Sequence, residues 1–467
     1  MFAYLKQFLF DRRPTSESIS FPTDHLGKLR SAARYLSFAA LSAVGAESLI
    51  ENAVNVSGDQ ISIGQTVVEN PDEIYVITLG KAGLASALAL DHELRGRITR
   101  GICISLRKLH PITSDWQMFG GGHPVPNSQS LSAAEACFDL LREANNKNAL
   151  VIFVVSGGGS AMLEWPVNPD ISLDDLQQAN HVLVTCGATI NEINVVRRAF
   201  SAVKGGKLAA CAPNAQIVTL IISDTNPGDE ASVASGPTLP LPSNTISASK
   251  VVQQYQLESK LPDSILRAIA EPQREVKSNS NATHYVLADN STAVAAAARA
   301  ASEMRFRVVI ADDISEQEIS EGCAKLLSRL DAEQPPVCVI SGGEFSCVVR
   351  GGGRGGRNLE TVLRCAPELE HRNEHIVVLS EATDGVDGNS RVAGAIADNR
   401  TMERARALGL DASEFLARSD SFAFLEALGD TFGQGPSHTN VRDIRILIKT
   451  ARDCDEGLDF GVLEPLC

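Results

Sequence analysis

Two rhythms of apolar residues divide the chain, and glycine stands at many of the places where one gives way to the other. Residues 150–155 are apolar without alternation and run straight into Ser156-Gly157-Gly158-Gly159-Ser160. A short, β-rich, unalternated run reads as a strand buried on both faces, as in a parallel α/β sheet. Further strands are expected over 74–79, 101–106, 217–222, 285–288, 307–310, 337–340, 376–379 and 444–448. Between them apolar residues recur at helical spacing. Leu29, Ala33, Leu36, Ala40, Val44 and Leu49 predict one helix over 29–50, and similar patterns predict helices over 131–144, 173–185, 293–304, 316–330 and 359–365. Alternating strands and helices predict the α/β class with mostly parallel sheets.

The best-patterned helix is expected over 190–208. Ile193, Val196, Phe200 and Val203 fall on one face, and Asn194, Arg197, Ser201 and Lys204 on another. That polar, basic stripe either faces solvent or orients an anionic ligand. Gly205-Gly206 should end or kink the helix.

Length turns this pattern into domains. At 467 residues the chain should form two or more, by the usual ~100–200 residues per domain. The apolar run at 337–340 enters Ser341-Gly342-Gly343-Glu344, repeating the device at Ser156. We therefore expect an N-terminal Rossmann-like α/β domain over 28–238 and a connection over 239–282 that is richer in Pro, Ser and Asn. A C-terminal α/β domain over 283–467 completes the division.

Charge and cysteine content remove several function classes. A formal charge of −15 argues against a nucleic-acid partner. No apolar run approaches the ~20 residues of a membrane span, so no membrane partner is expected. The first 18 residues hold a weak apolar stretch followed by Arg12 and Arg13, the reverse of a secretory signal, and read as a poorly ordered or packing tail. Ten scattered cysteines without a C-x-x-C pair read as buried hydrophobes of a reducing, cytoplasmic compartment. Both monomer and homodimer remain open.

Three kinds of group gather at the expected strand ends. Glycine loops stand at 157–159, 342–343 and 351–356. Cations stand at Lys81, Arg354 and Arg357, joined by Arg197 and Lys204, and carboxylates at Asp224, Asp229, Asp384 and Asp387. Glycine lets backbone amides close on an anion. Phosphoryl transfer needs amide and cationic cradles for phosphate, carboxylates for Mg²⁺, and a group to take a hydroxyl proton. Each feature also has a plainer reading: Gly-Gly as a tight turn, Asp-Gly as a turn cap, His123 in Gly122-His123-Pro124 as a rigid spacer. The chain contains neither G-x-x-x-x-G-K-[ST] nor G-x-G-x-x-G, so a Walker loop or a dinucleotide fingerprint has no support.

Nine motifs in order resemble the class II glycerate kinases, whose C-terminal part is the MOFRL domain. They are LGKAGLASA at Leu79, GGHPVPN at Gly121, VSGGGSAML at Val155, TINEINVVRRAFSAVKGGKLA at Thr189, ISDTNPGDE at Ile222, ASGPT at Ala234, ISGGEFSCVVRGGGRGGRN at Ile340, ATDGVDG at Ala382 and GPSHTNVRD at Gly435. The resemblance implies an ATP- and Mg²⁺-dependent kinase that phosphorylates D-glycerate, in most members at the 2-hydroxyl. It implies two three-layer α/β domains with the site in the cleft between them. It places catalytic roles on Lys81, Arg357 and Asp224. Candidate substrate- or phosphate-binding residues are then Ser156, Gly157, Gly158, Gly159, Ser160, Arg197, Lys204, Gly342, Gly343, Glu344, Arg354 and Asn358, with Asp384 and Asp387 for the metal.

Four departures from the family pattern bear on substrate identity more than on reaction class. Asn127 stands where Asp is usual, and Asp229 comes one place late. Ser437-His438 replaces Thr-Gly, and Leu359 replaces Gln. The alternatives are an NAD(P)H-dependent hydroxypyruvate reductase and a non-catalytic sugar-acid-binding relative.

Overall fold

The computed structural model describes residues 24–107, 110–147, 149–240, 246–272, 276, 279, 281–433, 435–452 and 458–460. The expected N-terminal tail, with Arg12 and Arg13, lies outside them. The chain divides into two compact units, Ala46–Asp289 and the described residues up to Gly45 together with those from Asn290 onward.

In the unit Ala46–Asp289, nine strands among the described residues form two sheets. Three short antiparallel strands, β1 (Val54–Ser57), β2 (Gln60–Ile63) and β3 (Thr66–Glu69), make a meander that the sequence pattern did not predict. The other sheet is wholly parallel. It comprises β4 (Ile74–Leu79), β5 (Ile98–Ser105), β6 (Trp116–Gly120), β7 (Leu150–Ser156), β8 (Gln216–Ile222) and β9 (Ala282–Ala288) in the order β6-β5-β4-β7-β8-β9. Every residue of β4 and β7 is buried, which is why neither alternates. Tyr75, Ile77, Val151 and Phe153 share a core with Leu140 and Leu141 of the helix Ser128–Lys147.

The segment expected to connect the domains belongs to this unit instead. Its helices Ala248–Gln254 and Asp263–Ala270 place Val251, Val252, Ile265 and Ile269 in one core with Leu176, Leu183, Val196 and Phe200. Apolar faces of this kind draw helices onto a neighbour rather than leave them as a linker.

The second unit is built on β10 (Arg307–Ile310), β11 (Val337–Gly343), β12 (His375–Ala382), β13 (Gly394–Asp398), β14 (Thr431–Phe432) and β15 (Asp443–Thr450), ordered β10-β11-β15-β12-β13-β14. Only β10 and β11 pair in parallel. The last strand inserts between β11 and β12 and runs against both, and the β12–β13 and β13–β14 pairs are also antiparallel. The expected parallel sheet is therefore found in one unit, and the other has a mixed sheet within the α/β class.

The domain boundary also moves. The helix expected over 29–50 ends at Ala43, breaks at Val44-Gly45, and restarts as Ala46–Ala53 in the other unit. The helix His25–Ala43 packs on β12, β15 and the helix Asn290–Glu303. Arg30 fastens it there through buried ion pairs to Asp398 at 2.7 Å and Asp430 at 2.5 Å.

Candidate active site

The strand order of the parallel sheet reverses between β4 and β7. From β4 the chain moves outward through β5 and β6, then returns to lay β7 on the other side of β4. Open α/β sheets bind ligands outside the carboxyl ends of strands at such a reversal. The two loops singled out in the sequence leave the sheet side by side there, because Leu79 and Val155 are register partners.

One serine ties these loops together. Ser156 Oγ accepts the amide of Ala82 at 3.0 Å and donates to the carbonyl of Leu79 at 3.0 Å, and the amide of Lys81 donates to Gly157 O at 3.0 Å. Gly80 is required at this junction: its φ is +106°, and a Cβ would lie 2.4 Å from Ser156 O. The Lys81 backbone is thus fixed on both sides. Its side chain crosses the left-handed Gly158, where a Cβ would meet Lys81 Cγ at 3.2 Å, Cε at 3.3 Å and His123 Cε1 at 3.5 Å. His123 therefore reaches the same loop as Lys81.

Gly159 and Ser160 open a short helical turn, Gly159–Met162, so their amides have no acceptor within it. Ser160 Oγ lies 2.9 Å from Ser235 Oγ, which donates to Asn194 Oδ1 at 2.8 Å. Arg198 holds the same segment through Ser235 O at 3.3 Å and Ala231 O at 2.6 Å. Ala234 and Ser235 both sit at positive φ, a conformation that survives only where surroundings dictate it. Asp224 follows β8, which pairs with β7, so it emerges on the same edge, half-buried. This unit accordingly brings Lys81, Ser156–Ser160 and Asp224 to one sheet edge.

Arg197 and Lys204 do not join them. The helix expected over 190–208 stops at Phe200, and Gly205-Gly206 turn at positive φ, so Lys204 points inward. Its side chain is 1% exposed and paired with Glu164 at 2.5 Å, while Ser201 Oγ donates to the other Glu164 oxygen at 2.5 Å. Burial lowers the Lys204 pKa and Glu164 opposes that shift. Arg197 is buried, with Nε donating to Asn180 at 3.0 Å. The basic stripe is therefore internal rather than a solvated face, and its cations are engaged within the fold.

In the second unit Arg357 is the first residue of the helix Arg357–Leu369. Its Nε donates to Asp443 Oδ2 at 2.5 Å and Nη2 to Asp443 Oδ1 at 3.0 Å, with Glu344 Oε1 2.8 Å from Nη2. Burial would lower the arginine pKa, but Asp443 and Glu344 together hold it above its ordinary value. In the sequence Asp443 is simply the last residue of the GPSHTNVRD motif.

Several amides of this unit's glycine loops are taken up by other parts of the chain. Gly342 and Gly343 lie inside β11, paired with Ile444 and Asp443, and their carbonyls accept from the buried Arg445. The amide of Gly343 donates to Asn290 Oδ1 at 2.9 Å. In the run 351–356, Gly353 N donates to Arg418 O, Arg354 N to Asp420 Oδ1 and Gly355 N to Asn389 Oδ1. Glycine is needed for close approach there: a Cβ on Gly356 would lie 2.4 Å from Asp387 Oδ1. The exposed Arg354 side chain lies over the Phe422 ring at 4.7 Å. Asn358 is buried, with Nδ2 donating to Asp387 Oδ1 at 3.2 Å and Oδ1 accepting from Ser380 Oγ at 2.6 Å.

Asp387 also serves the fold. One oxygen accepts from Asn358 N at 3.1 Å and Nδ2 at 3.2 Å, the other from Leu359 N at 2.8 Å, which caps the helix that presents Arg357. Burial pushes its pKa up to about 7. The half-buried Asp384 accepts from Val386 N at 3.1 Å. Among the described residues no group of three His, Cys, Asp or Glu side chains could hold a metal ion. Such a donor set does not suit a resident metal but suits Mg²⁺ arriving on phosphates, which commonly needs only one or two carboxylates.

Two departures noted in the sequence lie within the scaffold. Asn127 Oδ1 accepts from Ser130 N at 2.9 Å, and Asn127 Nδ2 donates to Gly120 O at 3.1 Å, a bond an aspartate could not make. Leu359 is fully buried in a hydrophobic cluster.

Fold and site together define a two-unit α/β protein with an anchored cation in each unit, Lys81 after the end of β4 and Arg357 at the start of a helix. Comparison with known proteins agrees. A domain of unknown function, DUF4147, matches residues 32–270 and the MOFRL family matches residues 337–443. A glycerate 2-kinase of Pyrococcus horikoshii is 32% identical over 88% of this chain and 96% of its own. An Agrobacterium vitis protein provisionally named a hydroxypyruvate reductase is 34% identical over 86% of this chain and 93% of its own. The crystal structure of a glycerate kinase from Thermotoga maritima, 28% identical, superposes with a TM-score of 0.76 over 90% of this chain and 99% of its own. The chain belongs to the glycerate kinase family that carries a C-terminal MOFRL domain.

Proposed function

We propose that this protein transfers the terminal phosphoryl group of ATP to D-glycerate, giving 2-phosphoglycerate. The observation that carries the reading is Lys81, fixed by Ser156 and Gly157 at the sheet reversal with its side chain across Gly158. In this assignment Lys81 and Arg357 neutralise the transferring phosphoryl group and the substrate carboxylate. Fixed cations act in this way on a transition state whose charge is spread over the phosphoryl oxygens. The amides of Gly159 and Ser160 hold an anion, and Asp224 accepts the hydroxyl proton. Asp224 or Asp384 would hold the Mg²⁺ brought by the nucleotide, which would neutralise charge on its phosphates. Family members of known name support the substrate. The free thiols of the described cysteines fit a cytoplasmic setting.

The reductase reading draws support from the strand order, which is that of dinucleotide-binding sheets. Against it, Lys81 stands inside the first turn, where the fingerprint would bring glycine close to pyrophosphate. Phosphorus NMR of a reaction with D-glycerate and MgATP tests the proposal. A 2-phosphoglycerate resonance is expected, 3-phosphoglycerate would correct the position, and no phosphorylated product would overturn the assignment.

A further inference from the structure

An arginine at the first position of a helix has a wide arc open to it, and the Arg357 side chain is 34% exposed. Packing alone does not fix such a group. Asp443 does, because its carboxylate, 1% exposed, meets Nε and Nη2 as a fork. Two-point contact fixes the plane of a guanidinium as well as its position. Asp443 is itself rigid: it opens β15 and pairs with Gly343 of β11 on one side and Ala382 of β12 on the other. Its carbonyl also accepts from Asn290 Nδ2 at 2.9 Å. The main chain is thus held without the carboxylate, and a buried charge is costly to keep where asparagine would fit.

We propose that Asp443 is a positioning residue that sets the orientation of Arg357 toward an anionic substrate group, phosphate or carboxylate. This rests on the phosphoryl-transfer reading above. Glu344 also reaches Arg357, with Oε1 2.8 Å from Nη2, but its side chain is 38% exposed against 1% for Asp443, so Asp443 is the more rigid anchor.

The test is a cycle of Asp443→Asn, Arg357→Lys and the double variant, read by kcat/KM for D-glycerate and by thermal melting. Lysine keeps the charge and loses the fork. With the melting temperature retained, Asp443→Asn should lower kcat/KM by about 100-fold, the usual scale for a catalytic group misplaced by about 1 Å. In the Arg357→Lys background the same change should cost less than about twofold, the spread seen between uncoupled sites. Asp443→Glu keeps the charge that offsets the buried Arg445 and is read if the asparagine variant melts early. Near-wild-type kcat/KM in a folded Asp443 variant overturns the proposal, as do equal losses in both backgrounds.

Calorimetric binding of inorganic phosphate separates this inference from the kinase reading. Weaker phosphate binding in Asp443→Asn, without glycerate-dependent ATP turnover by the wild type, retires the kinase and keeps the positioning role. Unchanged phosphate binding together with unchanged kcat/KM retires the positioning role alone.

Discussion

Ser156 Oγ accepts the amide of Ala82 at 3.0 Å, joining the ends of two neighbouring strands across the point where the parallel sheet reverses order. The same oxygen donates to Leu79 O, so a single hydroxyl satisfies two buried backbone groups beside Lys81. Replacing Ser156 by alanine leaves both unmet and should destabilise the protein by about 1–3 kcal/mol. It should also lower kcat, because the Lys81 turn loses one of its two anchors. Denaturant melts and steady-state kinetics on Ser156→Ala check both outcomes.

Gly158 separates loop geometry from fold. At φ +80° a side chain is strained, at a cost of about 1–2 kcal/mol, and the new Cβ would press on the Lys81 stem at 3.2 Å. The stem is flexible, so the fold should survive while the ammonium moves. Gly158→Ala is expected to keep a cooperative melt and lose at least about tenfold in kcat, as for a displaced charge-stabilising group. Wild-type turnover would remove the Gly158 loop from the site.

Lys204 should behave as a structural residue. Lys204→Met strands the Glu164 carboxylate in the interior and is expected to cost about 3–5 kcal/mol. The double variant Lys204→Met/Glu164→Gln should recover most of that loss, since no unpaired charge remains. A single variant with normal stability and a raised KM for D-glycerate would return Lys204 to the substrate site.

Asp387 predicts a pH dependence with a definite sign. Its carboxyl titrates near 7 when folded, raised chiefly by burial, against an ordinary value of 3.8. Between those values the folded state holds a proton that the unfolded state has released. Stability from this group therefore falls as pH rises from about 4 to about 7, and is level beyond. Asp387→Asn should remove that slope, measured as the difference in unfolding free energy between wild type and variant across the window. Parallel curves would contradict it.

The legible parts of the molecule were those where local pattern and local cause coincide. β4 is legible to the residue because every side chain in it is buried, and Lys81 and Ser156 stand out because glycine follows a strand end. The meander over 54–69 escaped notice because its strands are four residues long and partly exposed. Lys204 departs from its helical spacing because the helix ends at Phe200, and its partner Glu164 lies forty residues earlier. The run 351–356 looks by composition like an anion loop, yet three of its amides meet Arg418, Asp420 and Asn389, none of them nearby in sequence. Asp443 pairs with Arg357 across 86 positions, a relationship no spacing rule encodes.

The measurement that tests the central claim most directly is ADP formation by the purified protein with MgATP, with and without D-glycerate, beside NADH consumption with hydroxypyruvate. The account predicts ADP release that requires D-glycerate and collapses in Lys81→Ala with the fold intact. NADH consumption in the absence of ATP, or glycerate-dependent turnover that is unchanged in Lys81→Ala, would contradict it.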